Sequence, residues 1–355
     1  MGEATGNGEY VVLLYYKYVR LCDSAEEVEE IVKQQIALCE SLSLNGRVRL
    51  AMEGINGTLG GSAEHIEQYV ATMSSMPQFQ GIDWKTSTAP VKPFPELLVR
   101  AVKEIVAMEV PDEQCSLANG GEHLTPERFH QEQQNCSPDD YALIDVRNAY
   151  EYNIGHFEGA LNPNTRRFGQ FPEWVQAELP TLKQKKKVLM YCTGGIRCEK
   201  ASAYLKHLGL ENVYQLSGGI HRYLEAFPDG GRFRGKNFVF DQRVSMASQD
   251  ETVEGRCENC QEPHDVISGE TRCEYCRVHV LLCKKCTHDL VHIFCPQHAT
   301  LVQGTAEELE QRAEQLRHVM SLESGRSRKG RRRSLRKQLD TVTQRIQELS
   351  TNSPH

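Results

Sequence analysis

The chain has 355 residues, with 41 Lys/Arg against 48 Asp/Glu and hence a net charge of -7. This length allows two or three domains with hydrophobic cores and excludes a small disulfide-stabilised scaffold. No apolar run approaches the roughly 18 residues of a membrane span, and the first ten residues do not resemble a secretory signal. We therefore expect a cytoplasmic protein without membrane association, in which the 13 cysteines serve thiol chemistry or metal binding.

The first domain is predicted at residues 8–107, where extended and helical patterns alternate. Residues 10–18 are apolar and β-prone, and helices are expected to begin after the capping residues Ser24 and Ser62. An Asn-Gly turn signal at residues 55–57 predicts a hairpin between two further strands. The order strand, helix, strand, strand, helix, strand is that of a ferredoxin-like sandwich.

The second domain is predicted at residues 120–245 and has the pattern of a parallel α/β sheet. Three short apolar segments, at 141–146, 188–191 and 213–216, are predicted to be buried strands, and residues 200–208 are predicted to be helical. In such sheets, functional sites lie at the carboxyl ends of the strands.

The strongest candidate for catalysis is Cys192, which follows the second of these strands and precedes a helix. Loop N–H groups and the positive end of the helix favour a thiolate there, and Arg197 adds a fixed positive charge. The expected function is that of a nucleophile, and the alternative is a cysteine buried in the core. The residues predicted to form the anion-binding loop are Thr193, Gly194, Gly195 and Ile196.

Three further residues near this loop are candidates for the site. Cys198 is a candidate redox partner of Cys192, and equally a buried helix cysteine. Asp145 and Arg147 are predicted to support the site by connecting a strand end to neighbouring loops.

The motifs together resemble a known family. Leu-Ile-Asp-Val-Arg at 143–147, the cysteine loop and Leu-Ser-Gly-Gly-Ile at 216–220 are similar to a rhodanese domain. More narrowly, the segments 53–57, 192–200 and 235–241 resemble the tRNA uridine 5-hydroxylase family (TrhO).

This resemblance implies an acylphosphatase-like ferredoxin fold followed by a rhodanese domain and a cysteine-rich C-terminal part. It also implies oxygen-dependent conversion of a wobble uridine in tRNA to 5-hydroxyuridine, with Cys192 as catalytic residue and molecular oxygen as co-substrate. Addition of a thiolate to C6 of uracil would make C5 reactive towards an oxidant. The alternatives are a persulfide-forming sulfurtransferase and a non-enzymatic scaffold that recruits partners.

A zinc-binding module is predicted at residues 255–300, because two-residue spacers let paired ligands meet one tetrahedral ion. Sequential and cross-braced pairing both give one site of four cysteines and one site of three cysteines and a histidine, so the pairing is left open. Both sites have four protein ligands and are expected to be structural. The predicted ligand pairs are Cys257 with Cys260, Cys273 with Cys276, Cys283 with Cys286, and Cys295 with His298.

A helical tail is predicted at residues 305–350, where two apolar stripes flank a run of eight Lys/Arg at 326–337. This basic run fits three functions equally: binding of RNA phosphates, nuclear localisation, or a solvated connector. The zinc module and the tail are candidate surfaces for a protein partner.

Overall fold

The computed structural model describes residues 10–137, 139–249, 251–322 and 329–351. The chain divides into two compact units, Met1–Glu254 and Gly255–His355. Within the described ranges, every helix is too short or too polar to cross a membrane.

The first unit begins with a five-stranded sheet in the order β4-β1-β3-β2-β5. The predicted ferredoxin-like sandwich is confirmed, and β5 extends it by pairing parallel to β2. Its elements are β1 (Tyr10–Tyr18), α1 (Ala25–Ser41), β2 (Asn45–Ala51), β3 (Gly54–Gly61), α2 (Ala63–Ser75), β4 (Lys85–Ala89) and β5 (Leu97–Ala101).

The two faces of this sheet have different neighbours. Leu13 and Tyr15 of β1 pack on the side of α1 and α2, in a core that includes Val28 and Ile66. Because side chains alternate along a strand, the residues between them point to the opposite face. Part of that opposite face lies against the second domain of the same unit, where Tyr16 contacts Glu199.

The predicted hairpin is confirmed by the antiparallel pairing of β2 with β3, but the predicted position of its turn, at residues 55–57, is wrong. The chain turns at Met52 and Glu53, and β3 runs continuously through the Asn-Gly pair. Gly57 serves packing instead, since a Cβ atom there would overlap the Tyr15 ring. A glycine required by a close contact produced the same sequence signal as a glycine required by a turn.

The second domain is built on the parallel sheet β6-β10-β9-β7, with a separate antiparallel ribbon β12-β11-β8. Strand β9 lies between β10 and β7, so its carboxyl end is flanked by strands on both sides. The elements are β6 (Glu122–Leu124), α3 (Pro126–Asn135), β7 (Tyr141–Asp145), α4 (Ala149–Tyr152), β8 (Gly155–Phe157), α5 (Phe171–Leu182), β9 (Lys187–Tyr191), α6 (Ile196–His207), β10 (Val213–Leu216), α7 (Gly219–Ala226), β11 (Phe233–Phe238) and β12 (Ser245–Ala247).

In its described residues, the second unit holds the cysteine-rich module and four helices. Two long helices pack together through Leu309, Ala313 and Val342, all of them buried. Of the predicted basic run, residues 326–328 lie outside the described residues. The helices are α8 (Lys284–Asp289), α9 (Pro296–Ala299), α10 (Ala306–Leu322) and α11 (Lys329–Thr351).

Candidate active site at the Cys192 loop

Cys192 lies where β9 ends, and its side chain is fully buried. The backbone N–H of Gly195 donates a hydrogen bond to its Sγ atom at 3.1 Å. Gly195 has φ 104°, a conformation that favours glycine. A Cβ atom at Gly195 would lie 2.8 Å from the Tyr16 hydroxyl, so the glycine also allows the first-domain sheet to approach the loop.

The surroundings of Cys192 favour its thiolate. Burial alone would raise the pKa, but a hydrogen bond with the Cys198 thiol, the charge of Arg197, and the N–H groups of Arg197 and Gly195 outweigh it. The net effect lowers the pKa of Cys192 to about 5. Burial and the adjacent thiolate raise the pKa of Cys198 well above its usual range. Cys192 is therefore ionised at neutral pH. Cys198 stays protonated, and its S–H donates a hydrogen bond to the Cys192 sulfur.

The Arg197 guanidinium is held by Glu151. Its Nη1 and Nη2 atoms donate to the two Glu151 carboxylate oxygens at 2.7 and 2.8 Å, and Thr193 Oγ1 lies 3.3 Å from the same carboxylate. Burial would raise the pKa of Glu151, but the charge and hydrogen bonds of Arg197 hold it below its usual range. Arg197 therefore acts on the sulfur through its charge and backbone N–H.

Sequence reasoning missed Glu151 as a member of the site. Glu151 is the third residue of α4, where it forms a capping box with Asn148. A capping-box glutamate normally has a local role, so the sequence signal suggested nothing about Arg197, 46 residues further on.

Asp145 and Arg147 form a separate, fully buried ion pair. Arg147 Nη2 donates to Asp145 Oδ2 and to the Gly155 carbonyl, both at 2.6 Å. These contacts connect the end of β7 to β8. We propose a supporting role for both residues on this basis.

A buried cation joins the two domains beside the loop. Lys200, 2% exposed, lies on α6. Its Nζ atom donates to Glu53 Oε1 at 3.0 Å and to Glu104 Oε2 at 2.8 Å. Tyr16 also reaches across and donates to Glu199 Oε1 at 2.9 Å. The segments 53–57 and 192–200, which are far apart in the sequence, thus meet in one site.

A cavity of about 390 Å³ lies between the first-domain sheet and the Cys192 loop. Its described lining contains no carboxylate. A cavity with aromatic and cationic walls suits a planar base attached to an anionic backbone. Beside Cys192 and Arg197, the aromatic and cationic lining residues are Tyr16, Tyr150, Phe168, Phe240, Arg47, Arg49, Arg166 and Arg167.

Comparison with known proteins agrees with this arrangement. Residues 10–105 match the UPF0176 acylphosphatase-like domain, 125–226 the rhodanese-like domain and 234–299 the rhodanase C-terminal domain. A tRNA uridine(34) hydroxylase of Staphylococcus saprophyticus is 39% identical over 284 residues, which cover 75% of this chain and 87% of that protein. The chain belongs to the tRNA uridine(34) hydroxylase family. The resemblance inferred from the motifs is confirmed.

Two further relatives support the assignment to this family. A tRNA uridine(34) hydroxylase of Bacillus velezensis is 39% identical, over 67% of this chain and 72% of that protein. The rhodanese-like domain-containing protein 6 of Arabidopsis thaliana is 41% identical over 78% of this chain. The match spans only 51% of the plant protein, so the chain covers about half the length of that relative.

The lowered pKa of Cys192 leads to a test by alkylation. We expect the rate with iodoacetamide, followed by mass analysis of the Cys192 peptide, to reach half its plateau near pH 5, because the thiolate is the reacting form. Cys136 is an internal control, since burial raises the pKa of its thiol. Cys198→Ala should move the Cys192 midpoint upward. A midpoint near pH 9 in the unaltered protein would contradict the assignment.

The second unit brings the predicted metal ligands into two separate groups. In each group all four ligand atoms lie within 4.8 Å of one another. The pairs interleave along the chain, first with third and second with fourth, which is the cross-braced alternative. The groups are Cys257, Cys260, Cys283 and Cys286, and Cys273, Cys276, Cys295 and His298.

The spacing within the groups fits tetrahedral zinc. Zn–S bonds of about 2.3 Å place two thiolates of a tetrahedron about 3.8 Å apart. The sulfur atoms of Cys260 and Cys283 are separated by 3.8 Å, as are those of Cys276 and Cys295. The donor atoms therefore suit two closed sites, with no position left for substrate.

The two groups also share their backbone geometry. The backbone N–H groups of Gln261 and Arg277 each donate a hydrogen bond to the backbone carbonyl of the cysteine four residues earlier. Both adopt left-handed backbone angles, with φ of 63° and 62°. The first ligand pair of each group therefore forms the same turn, which accounts for the equal spacing of Cys257 with Cys260 and of Cys273 with Cys276.

Proposed function

We propose that this protein hydroxylates the wobble uridine of tRNA at C5, using Cys192 as a covalent nucleophile. The observation that carries the proposal is the buried Cys192 sulfur, which accepts the N–H of Gly195 and lies in the wall of a cavity with aromatic and arginine side chains. The activity named for the Staphylococcus and Bacillus relatives supports this reaction and tRNA as the substrate. We expect the protein to act in the cytoplasm, where this substrate occurs.

In the proposed reaction, Cys192 Sγ adds to C6 of uracil, and the C5–C6 π electrons move to C5 as an enolate. Carbon C5 then acquires one oxygen atom. The co-substrate we propose is dioxygen, and its second oxygen atom leaves as water. Two thiol groups of a reductant supply the two electrons and two protons for this step and join as a disulfide. Loss of the C5 proton and expulsion of Cys192 thiolate restore the double bond and release 5-hydroxyuridine.

The loop supports both the attack and the departure of sulfur. The N–H of Gly195, the Cys198 thiol and the Arg197 charge stabilise the anion before addition and again when it leaves. A thiol of low pKa is also the better leaving group. We propose that Cys198 positions the sulfur as a hydrogen-bond donor, and its redox role stays a prediction.

We propose that the two Cys/His groups hold structural zinc. When bound, zinc supplies the tetrahedral cross-link that folds the module. The described module thereby offers a rigid surface, and an interaction with RNA or protein partners through it or through the helical tail stays a prediction.

The proposed function is tested with purified protein, unmodified tRNA, dioxygen and a thiol reductant, followed by mass analysis of the released nucleosides. We expect a uridine heavier by one oxygen atom, absent when dioxygen is removed. The sulfurtransferase alternative is assayed in parallel with thiosulfate and cyanide. Thiocyanate formation without any hydroxylated uridine would contradict the proposal and favour sulfur transfer.

A further inference from the structure

The face of the first-domain sheet opposite its helices carries a row of side chains that starts at the Cys192 loop. Strand register places Tyr16 beside Asn56, Asn56 beside Arg49, and Arg49 beside Arg100. Neighbouring strands are about 4.8 Å apart, so this row crosses roughly 14 Å of the sheet. One end is Tyr16, whose hydroxyl lies next to Gly195, and the other end is Arg100 on the edge strand β5.

A second arginine of β2 belongs to the same surface. Arg47 lies two residues before Arg49 and therefore projects from the same face, while Val48 and Leu50 between and after them are fully buried. Arg47 and Arg49 line the cavity at Cys192, whereas Arg100 lies beyond its described lining. The three arginines thus form a path from the cavity towards the sheet edge.

Among the described residues, no carboxylate neutralises the charges on this path. Within the described ranges, none of Arg47, Arg49 and Arg100 forms an ion pair with a carboxylate. Burial and the charges of its two arginine neighbours lower the pKa of Arg49. Like charges on adjacent strands destabilise a sheet. A surface that keeps three of them together is suited to an anionic ligand that relieves the repulsion.

We propose that Arg47, Arg49 and Arg100 bind the phosphates of the RNA strand that flanks the target uridine. This inference rests on the proposed function, since it assumes that the base occupies the cavity beside Cys192. A base held there brings its own phosphate near Arg47 and Arg49, and the continuing strand reaches Arg100. Guanidinium groups match phosphate oxygens with two parallel hydrogen bonds, which favours arginine in this position.

The extended shape of the arginine path distinguishes a polymer from a free anion. A single phosphate would occupy one or two of the guanidinium groups and leave Arg100 without a role. An acidic protein segment carries the same charge, but it does not explain the aromatic cavity at the inner end. RNA is therefore the ligand we propose. The test includes an acidic peptide as the competing ligand.

The test measures binding of a fluorescent anticodon stem-loop RNA to the full chain with Cys192 replaced by alanine, so that no reaction occurs. Arg49→Gln and Arg100→Gln are each expected to weaken binding about fivefold to tenfold near 0.1 M salt. Each should also reduce the slope of log K against log salt by about 0.7, the value for one phosphate contact to a single strand. The unfolding temperature of each variant should be no lower than that of the chain with all three arginines, because each substitution removes repulsion between neighbouring arginines.

Arg20→Gln is the matched control, because Arg20 is an exposed arginine of the same domain that pairs with Asp23. We expect it to leave binding unchanged. Equal affinity and slope in Arg49→Gln, Arg100→Gln and the control would overturn the proposal. Tighter binding of a polyglutamate peptide than of the stem-loop RNA would also overturn the proposal.

The outcomes separate this inference from the proposed function. The arginine changes are therefore also made with Cys192 intact. If the unaltered chain hydroxylates tRNA, these active variants keep its kcat/KM and the Cys192→Ala forms keep their Kd, the proposed role of the arginines is wrong and the proposed function stands. If the variants lose RNA binding but the unaltered chain forms no hydroxylated uridine, the function is wrong and the RNA-binding surface stands.

Discussion

Replacing Cys192 with serine is expected to reduce the formation of hydroxylated uridine by about a thousandfold or more. A serine hydroxyl does not ionise at neutral pH in this site, so the addition to C6 loses its nucleophile. The fold should persist, because serine is smaller than cysteine and its oxygen can still accept the N–H of Gly195. We expect a loss of stability of only about 1–2 kcal/mol.

Nucleoside mass analysis measures the loss of hydroxylated uridine in Cys192→Ser, and thermal unfolding measures its loss of stability. Cys136→Ser is the matched control, since Cys136 lies outside the cavity lining and is hydrogen-bonded to neighbouring Glu132. It should retain full activity. A Cys192→Ser variant that folds normally and still hydroxylates tRNA would exclude covalent catalysis by this residue.

Removing the metal is expected to unfold the cysteine-rich module. Structural zinc contributes about 10–16 kcal/mol to the folding of small zinc modules, more than their small hydrophobic cores provide. We expect metal analysis to find two zinc ions per chain. Chelation should then make the segment from Cys257 to His298 sensitive to protease, while the first unit, Met1–Glu254, stays resistant.

Two double variants test the cross-braced pairing directly. Cys257 and Cys283 belong to one group, and Cys273 belongs to the other. We therefore expect Cys257→Ser with Cys283→Ser to retain one zinc, and Cys257→Ser with Cys273→Ser to retain none. Sequential pairing would give the reverse result. Cys115→Ser, in the first unit, is the control and should keep both ions.

The sequence contained enough local information to predict the architecture and a cysteine of lowered pKa at the end of β9. Strand and helix patterns depend on neighbouring residues, so β1, α1 and the strand before Cys192 follow from periodicity and capping. Gly195 is required by the cysteine loop itself, since its φ is 104° and its N–H donates to the Cys192 sulfur, so the prediction of an anion-stabilising turn needed no distant contact. The spacing of two residues within each zinc-ligand pair is local in the same way.

The contacts that complete the site were decided by the tertiary structure. Arg197 meets Glu151, and Lys200 meets Glu53, only because separate elements pack together. Zinc-ligand pairing was ambiguous because both pairings give the same ligand composition. The Asn-Gly signal at residues 55–57 was misread because packing against Tyr15 also requires a glycine.

By itself, the sequence determined the principal strands and helices of the first two domains, where a thiolate would be stabilised, and which side chains are suited to bind zinc. Only the tertiary structure decided that the ferredoxin-like sheet covers the Cys192 loop and places Arg47 and Arg49 in the cavity wall. The physical reason is that propensity, capping and loop geometry act over a few residues. Burial, ion pairing and strand register depend on residues that the chain brings together from far apart.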